Sequence, residues 1–119
     1  MAENPDIAGH GGLSVVRDTV DGVTVLRVRG EIDHETAAPL RGALPPADES
    51  AGPRIVIDLG QVTFIDSSGI NALITAQRAI PEKGWLRLAC VQGSVLRTLE
   101  LVGLDTVIPC HPTVQDALA

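Results

Sequence analysis

Asp66-Ser67-Ser68-Gly69 joins an apolar run, Val56-Ile57-Asp58-Leu59, to an amphipathic stretch that begins at Ile70. This spacing puts two hydroxyls at the start of a helix. Backbone N–H groups there have no intrahelical partner, and the helix dipole favours negative charge. A phosphate carried by one of these serines would be electrostatically accommodated. Helix capping is the plainer explanation, since a serine cap contributes about 1 kcal/mol. Two serines and an aspartate exceed what one cap needs, and Gly69 in the first turn costs about 1 kcal/mol relative to alanine. Glycine at that place leaves the serine backbone open to an approaching molecule.

A serine nucleophile is the competing chemistry. The nucleophile elbow carries glycine two residues to either side of its serine. Ser67 has Ile65 and Gly69 at those distances, and Ser68 has Asp66 and Ile70. A general base would have to be His34 or His111, and neither has a recognisable orienting partner. The phosphate-binding and dinucleotide-binding glycine patterns are also missing. The serines therefore read as a switch, with no catalytic residue, no enzymatic activity and no cofactor expected.

Composition narrows the partners. The 119 residues suffice for one domain with a real core. At 45% hydrophobic the chain is a folding sequence, and with only 2% aromatic residues its core must be Val, Leu, Ile and Ala. Scarce aromatics remove the stacking platforms of single-strand binders. A net charge of −6 repels phosphate backbones, so direct nucleic-acid binding is not expected. No apolar run is long enough for a membrane span, and no basic-then-apolar leader opens the chain, so a cytoplasmic protein is expected. Cys90 and Cys110 read as small buried hydrophobes rather than a disulfide framework. Scattered His10, His34 and His111 offer no metal-ligand spacing, and no metal is expected.

The elements that position the serines follow from periodicity. Residues 1–12 are polar and glycine-rich and read as a mobile tail; 13–119 form the domain. Residues 13–17 and 23–29 read as strands around an Asp21-Gly22 hairpin turn. In 23–29, Val23, Val25, Arg27 and Arg29 share one side, and Thr24, Leu26 and Val28 the other, as in a strand with one well-buried face. A helix is predicted over 34–44, capped by Asp33, with Thr36, Ala37, Leu40 and Leu44 on its apolar face. Pro39 is compatible only with the first turn.

Residues 45–53 are a loop, and 54–59 read as a strand buried on both faces, hence parallel and covered. Helices over 68–80 and 94–101, strands over 85–90 and 105–108, and a terminal helix capped by Thr113 complete the chain. The predicted fold is α/β: a mixed β-sheet with an initial hairpin and helices packed on it, in the order β-β-α-β-α-β-α-β-α. Asp33 and residues 66–69 both follow strand ends, where open α/β sheets place their ligand surfaces. On pattern alone, Asp33 is also a plain helix cap and Asp58 a strand-end hydrogen-bonding group. In the second helix Ala72, Ala76 and Ala79 make a low-relief strip. It either faces a partner or packs beneath a neighbouring helix.

Gly30-Glu31-Ile32-Asp33-His34-Glu35-Thr36-Ala37, then Val56-Ile57-Asp58-Leu59, then Phe64-Ile65-Asp66-Ser67-Ser68-Gly69 together resemble the STAS family, and within it bacterial anti-sigma factor antagonists. The likeness runs from Leu13 to Ala119 and includes Leu99-Glu100-Leu101-Val102-Gly103-Leu104. Isoleucine at positions 32 and 70, Asn71 and Pro39 depart mildly from the family pattern. The resemblance implies a STAS-like fold and a partner-switching regulator of transcription in stress response, sporulation or development. It implies that Ser67, the first serine of the motif, is phosphorylated by an ATP-binding anti-sigma factor kinase and restored by a serine phosphatase. The unmodified antagonist would bind the anti-sigma factor and release the sigma factor. Asp33, Thr36, Asp66, Ser67, Ser68, Gly69 and Ala72 are the expected partner-binding residues. The alternative is an accessory STAS subunit of a transport or signalling complex that is never phosphorylated.

Overall fold

The computed structural model describes residues 6–10, 12–43 and 52–119. Among these described residues six strands form one sheet in the order β1-β2-β3-β4-β5-β6. They are β1 (Asp6–His10), β2 (Leu13–Val20), β3 (Val23–Ile32), β4 (Arg54–Ile65), β5 (Trp85–Ala89) and β6 (Cys110–His111). The first three pair antiparallel and the remaining pairings are parallel. Among the described residues four α-helices accompany them: α1 (Ala37–Ala43), α2 (Ser67–Ala79), α3 (Gly93–Leu101) and α4 (Val114–Leu118).

The mixed sheet and its alternating helices are as expected, with one more strand at the start. Asp6–His10, placed in the tail by its polar, glycine-rich composition, pairs antiparallel with β2. A sheet edge supplies unpaired backbone groups to any neighbouring segment; this pairing needs no side-chain pattern, so the sequence carries no mark of it. The order is therefore β-β-β-α-β-α-β-α-β-α.

Strand periodicity divides the core between two faces. Leu26, Val28, Ile57 and Leu88 lie in one cluster with Leu40 of α1, Ile70 and Leu73 of α2, and Val95 and Leu99 of α3. Val23, Val25, Val56 and Ala89 lie in the other with Ala117 of α4. Three successive crossovers step along the sheet in one direction, which puts α1, α2 and α3 on the same face. The second face explains β3. Its Val23 and Val25 are buried beneath α4, whereas Arg27 and Arg29 on the same side lie beyond that cover and are exposed. The hairpin turn is as predicted: Asp21 and Gly22 both have positive φ, 52° and 80°, between the paired residues Val20 and Val23.

β4 differs most from its expected span. It is the central parallel strand, between β3 and β5, with Ile55, Val56, Ile57 and Leu59 buried as predicted. It does not stop at Leu59 but runs to Ile65. Arg27 and Arg29 of β3 face Asp58 and Gln61, and Gly30 and Glu31 face Val62 and Phe64. β4 thus inserts an extra residue twice, as bulges. Gly60-Gln61 has the composition of a turn but occupies the first bulge, where the Gly60 N–H donates to Asp58 Oδ1 at 2.9 Å.

Two other elements are shifted. Helix α1 begins at Ala37 rather than at residue 34, after a hydrogen-bonded turn, so Pro39 falls in its first turn where a missing N–H costs nothing. Leu44 lies outside the described residues. The apolar pair Val107-Ile108 read as a strand at 105–108, but Leu104–Thr106 is a 3-10 turn and the strand is Cys110–His111. Gly103, at φ 76°, starts that turn, and local bonds from Thr106 N–H to Gly103 and from Val107 N–H to Leu104 hold it.

Candidate functional site

The C-terminal ends of β3 and β4 lie side by side and present two turns. After β4, Asp66 adopts an extended conformation and caps α2. Its Oδ1 accepts from the Ser68 N–H at 2.9 Å and from the Gly69 N–H at 3.2 Å. Its carbonyl accepts from the Ile70 N–H at 3.0 Å. The aspartate does the capping, so neither serine is needed for it. Ser67 is exposed and Ser68 is half-buried. An open depression of about 350 Å³ beside them is lined by Ser67, Ser68, Ile70, Asn71 and Ile74.

After β3, Asp33 Oδ1 accepts from the N–H groups of Glu35 (3.0 Å) and Thr36 (3.1 Å), and the Asp33 carbonyl accepts from the Ala37 N–H at 2.9 Å. Asp33 caps the turn that opens α1, as expected. The two turns are joined by the Asp66 N–H, which donates to the Ile32 carbonyl at 3.1 Å. Asp33, Asp66, Ser67 and Ser68 are therefore brought together on one end of the sheet.

Three residues expected to touch a partner are buried. Thr36 is 3% exposed, its hydroxyl turned inward to the backbone. Gly69 is buried: a Cβ there would stand 2.5 Å from Ile32 Cγ2 and 2.7 Å from Ile65 Cγ1. Its small size serves the close packing of α2 on β3 and β4, not an approaching molecule. Ala72 is 1% exposed, which resolves the two readings of the alanine strip in favour of packing at that position. Ala79, farther along, is exposed.

Sequence reasoning missed other features of this surface. Phe64, the chain's only phenylalanine, is 47% exposed beside Glu31 in the β3–β4 register. Glu31 and Glu35 are exposed and join Asp33 and Asp66 in an acidic end of the molecule. No Lys or Arg occurs from Gly30 to Leu40 or from Gln61 to Gln77. That one-sided charge count was readable, but only the pairing of β3 with β4 makes the two segments a single surface.

The cysteines lie elsewhere. Both are half-buried and unpaired. Burial, then the Asp58 carboxylate, pushes the Cys90 thiol up. Burial, then Asp105 and Glu100, does the same to Cys110. Both therefore favour the unreactive thiol form. Among the described residues no cluster of three His, Cys, Asp or Glu side chains is placed to hold a metal, and no helix is long and apolar enough to cross a membrane.

The model of the STAS domain matches residues 14–117. The chain belongs to the STAS domain family. Similar STAS proteins include the anti-sigma F factor antagonist of Paenibacillus polymyxa, 31% identical over 99 residues covering 82% of this chain and 85% of that one. The anti-sigma-F factor antagonist RsfB of Mycobacterium tuberculosis is 33% identical over 98 residues, covering 82% and 80%. The crystal structure of an anti-sigma factor antagonist from Mycobacterium paratuberculosis superposes with a TM-score of 0.82 at 31% identity, covering 93% of this chain and 95% of that one. The STAS fold and the likeness to anti-sigma factor antagonists thus agree with what the serine motif and its flanking segments imply.

Proposed function

We propose that the chain is a cytoplasmic anti-sigma factor antagonist that works by partner switching at Ser67. Unphosphorylated, it binds an anti-sigma factor that is also an ATP-binding serine kinase, and the sigma factor is released. The kinase transfers the γ-phosphoryl group of ATP to Ser67 Oγ; ADP leaves and the hydroxyl proton is lost. A serine phosphatase hydrolyses the ester and resets the protein. The chain itself contributes an acceptor hydroxyl and a docking surface, without catalysis, cofactor or contact with nucleic acid.

The observation that carries this reading is the exposure of Ser67 at the head of α2, where Asp66 already caps the helix. The hydroxyl is free to accept a group without loss of fold. Asp33, Asp66, Glu31 and Glu35 surround the region, so a phosphate adding about −1.5 to −2 charges arrives in an already acidic setting. The helix N-terminus accommodates it locally, while a partner pressed against this end meets a new, strongly hydrated charge.

Reconstitution tests the reading. The unphosphorylated chain, added to a purified complex of the cognate anti-sigma and sigma factors, is expected to displace the sigma factor and co-elute with the anti-sigma factor in gel filtration. A sigma factor that stays bound at saturating antagonist would contradict it.

A further inference from the structure

Thr36 is the one buried polar or charged side chain among the described residues. Its hydroxyl accepts from the Asp33 N–H at 2.8 Å and donates to the Glu31 carbonyl at 2.8 Å. A hydroxyl has a single proton, so the shorter contact to Glu31 takes it in preference to Asp33 Oδ1 at 3.2 Å. Both bonded groups flank Ile32. The Asp33 N–H and the Ile32 carbonyl belong to one planar peptide unit and point in opposite directions. The N–H end of that unit is tied to Thr36; the carbonyl end accepts from Asp66 N–H at 3.1 Å. Asp66 in turn caps the turn that carries Ser67.

We propose that Thr36 is a positioning residue for Ser67, acting through the Ile32–Asp33 peptide and the Asp66 amide. The proposal rests on the phosphate-acceptor reading of Ser67. Rotation of this peptide would withdraw the acceptor from Asp66 and release the first residue of the serine turn. Because Gly69 is seated directly against Ile32 and Ile65, the first turn of α2 has no slack to absorb such a shift. The β3–α1 turn and the serine turn therefore move as one unit, and a buried hydroxyl remote from solvent fixes the orientation in which Ser67 is offered.

Thr36→Val keeps the shape and removes the hydroxyl; Thr36→Ser keeps the hydroxyl. Two readouts apply: hydrogen exchange at the Asp66 amide, and phosphate transfer to Ser67 by the cognate anti-sigma kinase. In Thr36→Val the Asp66 amide is expected to exchange about 10-fold faster or more, relative to amides in β2. Its kcat for transfer should fall about 10-fold or more with KM little changed, as when an acceptor is misplaced rather than unbound. Thr36→Ser should restore both. If the valine variant does not fold, Thr36→Cys takes its place, with a weaker hydrogen-bonding group at the same point and the same expected direction. A folded valine or cysteine variant with wild-type exchange at Asp66, or with wild-type transfer, would overturn the proposal, as would failure of serine to rescue. A wild-type chain that accepts no phosphate would sink the partner-switching function instead, and amide exchange would still decide the role of Thr36.

Discussion

Ser67→Asp is expected to fold as the wild type does and to bind the anti-sigma factor at least about 10-fold more weakly, a loss of about 1.4 kcal/mol or more. Ser67→Ala is expected to bind at full strength and to stay bound in the presence of ATP. Both expectations come from the division of labour at the start of α2. Asp66 supplies the cap, accepting from Ser68 and Gly69, and Ser67 is exposed. Neither substitution therefore removes an internal hydrogen bond that holds the turn. A carboxylate at Ser67 gains from the helix N-terminus in the free protein, typically 0.3–1 kcal/mol in magnitude. In a complex it must be desolvated beside Asp66 and Asp33, which costs more than the helix end returns. Calorimetry on the two variants with the unmodified anti-sigma factor separates these terms. Equal affinities would show that charge at Ser67 does not govern the partner surface.

Ala72→Arg is expected to unfold the domain rather than merely to weaken binding. The Ala72 side chain is 1% exposed on α2, and α2 packs beside α1 on the sheet. An arginine there has either to bury an unpaired guanidinium or to lever the helix away from the sheet. A buried charge left without a partner costs on the order of 3–5 kcal/mol, a large part of a typical stability of about 5–15 kcal/mol. Thermal unfolding followed by circular dichroism should show a melting temperature lowered by more than about 10 °C, or no folded baseline at all. Wild-type melting would mean that Ala72 faces solvent and that the packing of α2 is wrong.

The parts of this fold that could be read in advance are those where side-chain period decides the structure. The β2–β3 hairpin was legible because Asp21-Gly22 is tolerant of positive φ between alternating strands. The buried centre of β4 was legible because Ile55-Val56-Ile57 leaves no polar face. What escaped depends on backbone partners that sequence does not encode locally. β1 exists through the edge of β2, the second half of β4 through bulges against β3, and β6 lies after a turn closed by short-range bonds.

The site divides the same way. The placement of Asp33, Asp66, Ser67 and Ser68 at strand-to-helix junctions is legible because capping chemistry marks such junctions. Thr36, Gly69 and Ala72, expected at a partner surface, are buried. Small or polar residues beside a motif look alike in sequence whether they meet a partner or the protein's own backbone; only burial separates them. Phe64 falls outside the strand predicted over 54–59; only the extension of β4 to Ile65 places it, 47% exposed, beside Glu31.

The proposed switch depends on which residue accepts the phosphate. Incubation with the cognate anti-sigma kinase and ATP, followed by intact-mass measurement and peptide mapping, is the direct test. The expected result is a species heavier by one phosphate, mapped to Ser67, formed by the wild type and by Ser68→Ala but not by Ser67→Ala. Full modification of Ser67→Ala, or a wild-type mass unchanged by a kinase that phosphorylates its known substrate, would contradict it.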